Sequence, residues 1–108
     1  MQAPSVLKFT DFRKYLLKFK VYLKHRERFF GYREFSAMLG FSSASELHNV
    51  IESGYNLTLD KMVHIIRVLR MPAMEAEYFE LLVHLGTAKG AEARRYYLKR
   101  VLRFRKRR

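Results

Sequence analysis

Cysteine is absent from this chain of 108 residues. That absence removes disulfides, thiolate metal sites and cysteine nucleophiles together, and it suits a reducing compartment. Long apolar runs are missing too. No stretch approaches the roughly 18 apolar residues that span a bilayer, and the opening "MQAPSVLKFTDF" has no continuous hydrophobic core of a secretion signal. Acidic residues are scarce, 10 against 22 lysines and arginines, which leaves a formal net charge of +12. The phosphate-cradling pattern G-x-x-x-x-G-K-[S/T] does not occur. Nothing alternates with period two, so no strand is expected. These absences predict a soluble cytoplasmic protein without a nucleotide-binding loop.

What is present is helical periodicity. Phe12, Tyr15, Leu16, Phe19, Tyr22 and Leu23 recur at three- and four-residue steps, one stripe of an amphipathic helix from about Asp11 to Arg28. Gly31 breaks it. "YREFSAMLG" follows with Phe35, Met38 and Leu39 on one face and Gly40 as a stop. "SASE" reads as a capping box in which Ser43 accepts from the Glu46 N–H and the Glu46 carboxylate reaches back to the Ser43 N–H. That helix carries Leu47, Val50 and Ile51 and stops near Gly54. Thr58 caps a fourth helix bearing Leu59, Met62, Val63, Ile65, Ile66 and Leu69, and Pro72 opens a fifth, "PAMEAEYFELLVHLG". A last helix from about Ala91 places Tyr97, Leu98, Val101 and Leu102 on one side ahead of the basic run "RFRKRR".

The prediction is an all-α fold, a compact bundle of five or six helices. Residues 1–9 read as an N-terminal extension, 10–102 as the helical domain and 103–108 as a basic tail with few core contacts. Half the residues are hydrophobic and 15% aromatic, enough for one modest core. Phe12, Phe19, Phe35, Tyr78 and Phe79 are its expected aromatic members.

The stretches "DFRKYL", "YREFSAMLGFSSASELHNVIESGYNLT" and "EAEYFELLVHLGTAKGAEARRYYLKRV" together resemble a family of bacterial hypothetical proteins. In that family a helix-turn-helix region, itself similar to the Cro/C1 repressor class, precedes a domain of unknown function. The resemblance covers about Asp11 to Val101, with "GFSS", "NLT" and "EAEYFELLV" its most particular pieces. It implies a Cro/C1-like helix-turn-helix and DNA binding of the transcription-regulator kind. Two local differences stand out: Glu46 occupies a position that is usually bulky and apolar, and "SGYN" replaces a basic turn.

Charge is unevenly spread. Residues 1–31 hold eight basic and two acidic side chains, 32–93 five and eight, and 94–108 nine and none. A fifteen-residue stretch with nine cations self-repels unless an anionic surface neutralises it, and phosphate contacts with release of condensed counterions supply much of protein–DNA affinity. Arg94, Arg95, Lys99, Arg100, Arg103, Arg105, Lys106, Arg107 and Arg108 are therefore the expected backbone contacts, with Arg33 beside them, either clamping phosphate or pairing with Glu34. Base readout falls to Ser45, His48 and Asn49: asparagine pairs bidentately with adenine, and serine or neutral histidine can donate or accept at a base edge.

Other readings use the same residues differently. A nucleoid-associated or RNA-binding protein would use the cationic segments without sequence preference. A protein-interaction or membrane-surface module would set Tyr97, Leu98, Val101, Leu102 and Phe104 beside the charge on anionic lipid. A homodimer is a further expectation. His25, His48, His64 and His84 lack metal-ligand spacing, so neither metal, cofactor nor enzymatic activity is expected.

Overall fold

A computed structural model of the protein describes residues 2–107. A single 3-10 turn, Val6–Lys8, precedes six helices: α1 Phe12–Arg26, α2 Tyr32–Met38, α3 Ala44–Glu52, α4 Leu59–Val68, α5 Ala73–Thr87 and α6 Ala91–Arg107. There is no strand among the described residues.

The helices start where short polar side chains satisfy free N–H groups. Asp11 accepts from the Arg13 N–H at 2.8 Å, Ser43 from Glu46 at 3.2 Å and Thr58 from Lys61 at 3.2 Å, each worth about 1 kcal/mol. The capping box at Ser43 is only half formed. The Glu46 carboxylate takes the Ser42 hydroxyl at 2.9 Å instead of the Ser43 N–H, because a hydroxyl one residue upstream offers the same carboxylate a flexible donor. The reciprocal contact occurs one helix earlier, where the Gly31 N–H donates to Glu34 Oε1 at 2.9 Å.

α2 ends in a Schellman turn: the Phe41 N–H returns to the Ser36 carbonyl at 2.9 Å and the Gly40 N–H to Ala37 at 3.3 Å. Gly40 takes φ +83°, the left-handed region that favours glycine, and a Cβ there would lie 2.9 Å from the His64 ring and force that ring to shift. Lys61 of α4 donates to the Gly40 carbonyl, and Ser36 Oγ donates to the Ser43 carbonyl at 2.6 Å. The connection between α2 and α3 is thus fastened from two sides.

The core is continuous from one end of the sequence to the other. Phe12, Leu16, Phe35, Leu39, Leu47, Ile65, Tyr78, Phe79 and Val101 are wholly buried, and so is Val6. Phe79 receives the edges of Phe12 and Tyr15, with ring centroids 6.5 and 6.0 Å away, the geometry that aromatic quadrupoles favour. α1 packs on both α3 and α5, and α6 lies along α5.

Three expectations give way. Residues 2–9 pack onto the helical domain, since Val6 is in the core and Ser5 caps the 3-10 turn. The basic run is not a frayed tail: α6 is helical to Arg107, and Phe104 is 6% exposed against Tyr78, their ring centroids 5.2 Å apart. Burial of Phe104 offsets the repulsion among its charged neighbours, which lie outside on the same turns. The register of α6 differs accordingly. Tyr97, Val101 and Phe104 turn toward α5, while Leu98 and Leu102 are 45% and 53% exposed, because α5 covers only one ridge of the helix. On α4, likewise, Met62 and Ile65 are buried whereas Leu59 and Val63 face outward.

Candidate nucleic-acid interface

α3 is held by its inner face. Leu47, Val50 and Ile51 are buried, and at 100° per residue this sends Ser45, His48 and Asn49 outward. Ser45 and His48 are exposed, Asn49 is half-buried, and with Tyr32 and Ala44 they line a shallow depression of about 270 Å³. All three side chains expected at base edges therefore share one surface.

Tyr32, the first residue of α2, organises this surface. Its ring meets His48 edge-on, centroids 5.0 Å apart at 73°, and Lys20 of α1 brings its Nζ to 4.6 Å from the ring centroid. Its hydroxyl donates to Glu52 Oε2 at 2.7 Å. Burial, followed by this carboxylate partner, pushes the Tyr32 phenol well above its usual range, so it remains a donor at any physiological pH. Both glutamates of α3 consequently have an internal hydroxyl partner, Glu46 at Ser42 and Glu52 at Tyr32.

Arg33 is next in the chain and its side chain is 91% exposed, with Nε 3.7 Å from Glu34 Oε2. An exposed pair at that distance holds weakly, of order 0–1 kcal/mol, and leaves the guanidinium available to an external anion.

The cations divide into exposed and committed groups. On α6, Arg94, Arg95, Lys99, Arg100, Arg103, Lys106 and Arg107 are exposed, and Arg108 lies outside the described residues. Arg105 departs from the expected phosphate-contact role. Half-buried, its Nη1 donates to the Leu7 carbonyl at 3.1 Å, to Phe9 at 3.4 Å and to the Tyr78 hydroxyl at 3.0 Å. On α1, Lys14, Lys18, Lys24 and Arg26 are exposed, Arg26 also donating to the Tyr22 hydroxyl at 2.9 Å. Because α6 packs on α5 and α3 packs on α1 and α2, the main cationic helix and the outer face of α3 stand on different elements, with α1 between them.

Arg13 carries a role that composition hid. Its Nε donates to the Val50 carbonyl at 2.8 Å, Nη1 to Gly86 at 3.2 Å, and Nη2 to Gly54 at 3.2 Å and Tyr55 at 3.0 Å. Burial pulls its pKa below the ordinary arginine value. One guanidinium thus ties the end of α3 to α1 and α5, and Gly86 permits it: a Cβ there would lie 2.6 Å from the Phe12 ring. A lysine cannot reproduce this fork. Arg13→Lys is expected to cost about 1–2 kcal/mol, the range for charged hydrogen bonds partly replaced by water. Urea unfolding checks this, and an unchanged midpoint would mean the four carbonyls are served equally well by solvent.

The remaining chemistry is sparse. His48 packs on Tyr32, His64 on Gly40, and His84 stacks on Tyr97 at 5.0 Å and sits 3.8 Å from Glu80. Among the described residues no three His, Asp or Glu side chains converge as a metal site, and no helix is long and apolar enough to cross a membrane.

No family model, characterised protein or solved structure matches the chain.

Proposed function

We propose that this protein binds duplex DNA and regulates transcription, with α2 and α3 acting as a Cro/C1-like helix-turn-helix. In this reading α3 enters the major groove and offers Ser45, His48 and Asn49 to base edges, while Arg33 and the exposed cations of α1 and α6 contact phosphates. The observation that carries it is the outer face of α3. Three hydrogen-bonding side chains are gathered there, and both glutamates are turned to internal hydroxyls. Lys20, above the Tyr32 ring, adds a cation beside that face.

The test separates reading from holding. After selection of bound fragments by the purified protein, His48→Ala with Asn49→Ala should abolish preference for the selected site, about 1–3 kcal/mol per lost contact, while binding to a scrambled duplex barely changes. A double variant that keeps the full preference in competition binding would remove α3 as the reading head.

A second reading is favoured by Leu98 and Leu102, which stand exposed among the α6 cations and add nothing to phosphate contact. On an anionic membrane surface they would enter the headgroup region. Binding to vesicles of anionic lipid, lost in Leu98→Ser with Leu102→Ser while DNA binding persists, distinguishes it.

A further inference from the structure

α4 turns an apolar stripe to solvent. Leu59 and Val63, one turn apart, are 59% and 47% exposed, and Ile66 continues the stripe half-buried. The inner face is already satisfied by Met62 and Ile65, so nothing in the fold requires apolar residues outside. Such residues scattered singly are ordinary; repeated at helical spacing they mark a contact surface. Asp60 and Arg67 are exposed on the same face, two turns apart, and neither joins an ion pair among the described residues.

This pattern is complementary to itself. For an antiparallel copy related by a two-fold axis passing between Val63 and His64, Asp60 and Arg67 lie equally far from the axis, about 5 Å along the helix. Rotation about such an axis keeps each residue on its own flank. Asp60 therefore meets the partner's Arg67, Arg67 meets the partner's Asp60, and Leu59, Val63 and Ile66 of both copies fill the middle, an isologous contact.

Charge also selects this face. Two chains of net charge +12 repel one another, yet the exposed charged side chains of α4 are Asp60 and Arg67, which cancel. The other exposed apolar pair, Leu98 and Leu102, lies among Arg94, Arg95 and Lys99, where a second copy would stack cation on cation.

We propose that α4 pairs with α4 of a second copy, forming a two-fold dimer through Leu59, Val63, Ile66 and two reciprocal Asp60 to Arg67 ion pairs. The dimer does not rest on DNA as the ligand and is measured with none present. Sedimentation equilibrium of the full chain, over protein concentrations up to about 100 µM, should show a monomer–dimer equilibrium. Asp60→Arg and Arg67→Asp should each weaken it about tenfold, since both ion pairs become repulsions. The double variant, carrying both changes, should recover wild-type dissociation to within about threefold. Val63→Glu, which sets two carboxylates beside the axis, should be monomeric with an unchanged circular dichroism spectrum; Val63→Ser serves the same purpose if the glutamate variant unfolds. A wild type that stays monomeric throughout overturns the proposal. So does a double variant no tighter than the single ones, because the two charges would then not face each other.

Discussion

A protein shortened to end at Leu102 should lose most of its stability. Phe104 is buried against Tyr78, and its loss alone corresponds to a large-to-small core change, about 3–5 kcal/mol. The truncation also removes Arg105, whose Nη1 serves two carbonyls of the N-terminal segment and the Tyr78 hydroxyl; Phe9 keeps the Tyr78 hydroxyl, but the half-buried Leu7 carbonyl loses its donor, at about 1 kcal/mol more. Against a total of roughly 5–15 kcal/mol for a small domain, the shortened chain should be largely unfolded at 25 °C or melt far below the wild type. Phe104→Ala tests the core term separately by urea unfolding. The triple change Arg103→Ala, Lys106→Ala and Arg107→Ala leaves both anchors in place and should preserve the melting temperature. Truncation with a wild-type melting curve would show that the last turns of α6 contribute nothing to the fold.

DNA affinity should collapse with salt. Seven exposed cations on α6 and four on α1 are available to phosphates. If about six phosphates are neutralised, log K falls against log salt with a slope of roughly −5, about a thousandfold loss for a fourfold rise in salt. Arg94→Ala, Arg95→Ala and Arg100→Ala together should lower affinity for every sequence and flatten the slope, leaving site preference intact, the reverse of the changes on α3. Fluorescence anisotropy with a labelled duplex reads both quantities. A titration that is flat between low and physiological salt would end the polyanion reading, and with it any role for the helix cations in holding nucleic acid.

Local chemistry was legible in the sequence. Ser43 and Thr58 cap the helices they were expected to cap, Gly40 stops α2, and Leu47, Val50 and Ile51 are inside, since each depends on neighbours within a turn or two. The contacts of Arg13 were not legible, because its four carbonyls come from residues 37 to 73 positions away and an arginine in a lysine-rich helix looks like every other surface cation. The role of Tyr32 was not legible for the same reason: Lys20, His48 and Glu52 converge on it only after folding. In α6 the spacing put Tyr97, Leu98, Val101 and Leu102 on one side, whereas Tyr97, Val101 and Phe104 turn inward and Leu98 and Leu102 stand exposed. The packing of α5, which covers one ridge of α6, made the difference. The face of α3 was legible from spacing, whereas the hydroxyl partners of its glutamates belong to α2 and the preceding turn.

The Arg105 anchor joins Leu7 to a residue 98 positions later, and this separation governs the order of folding. Closing so long a loop before other contacts exist is entropically costly, so α1, α2 and α3, whose contacts are more local, are expected to assemble first. The 3-10 turn and the end of α6 then join as one late cooperative unit. In hydrogen exchange the amides of both segments should open together, at lower free energy than those of α1 and α3. A protease that attacks the protein through local opening would accordingly find its first site at this seam, with cleavage near one end of the chain loosening the other.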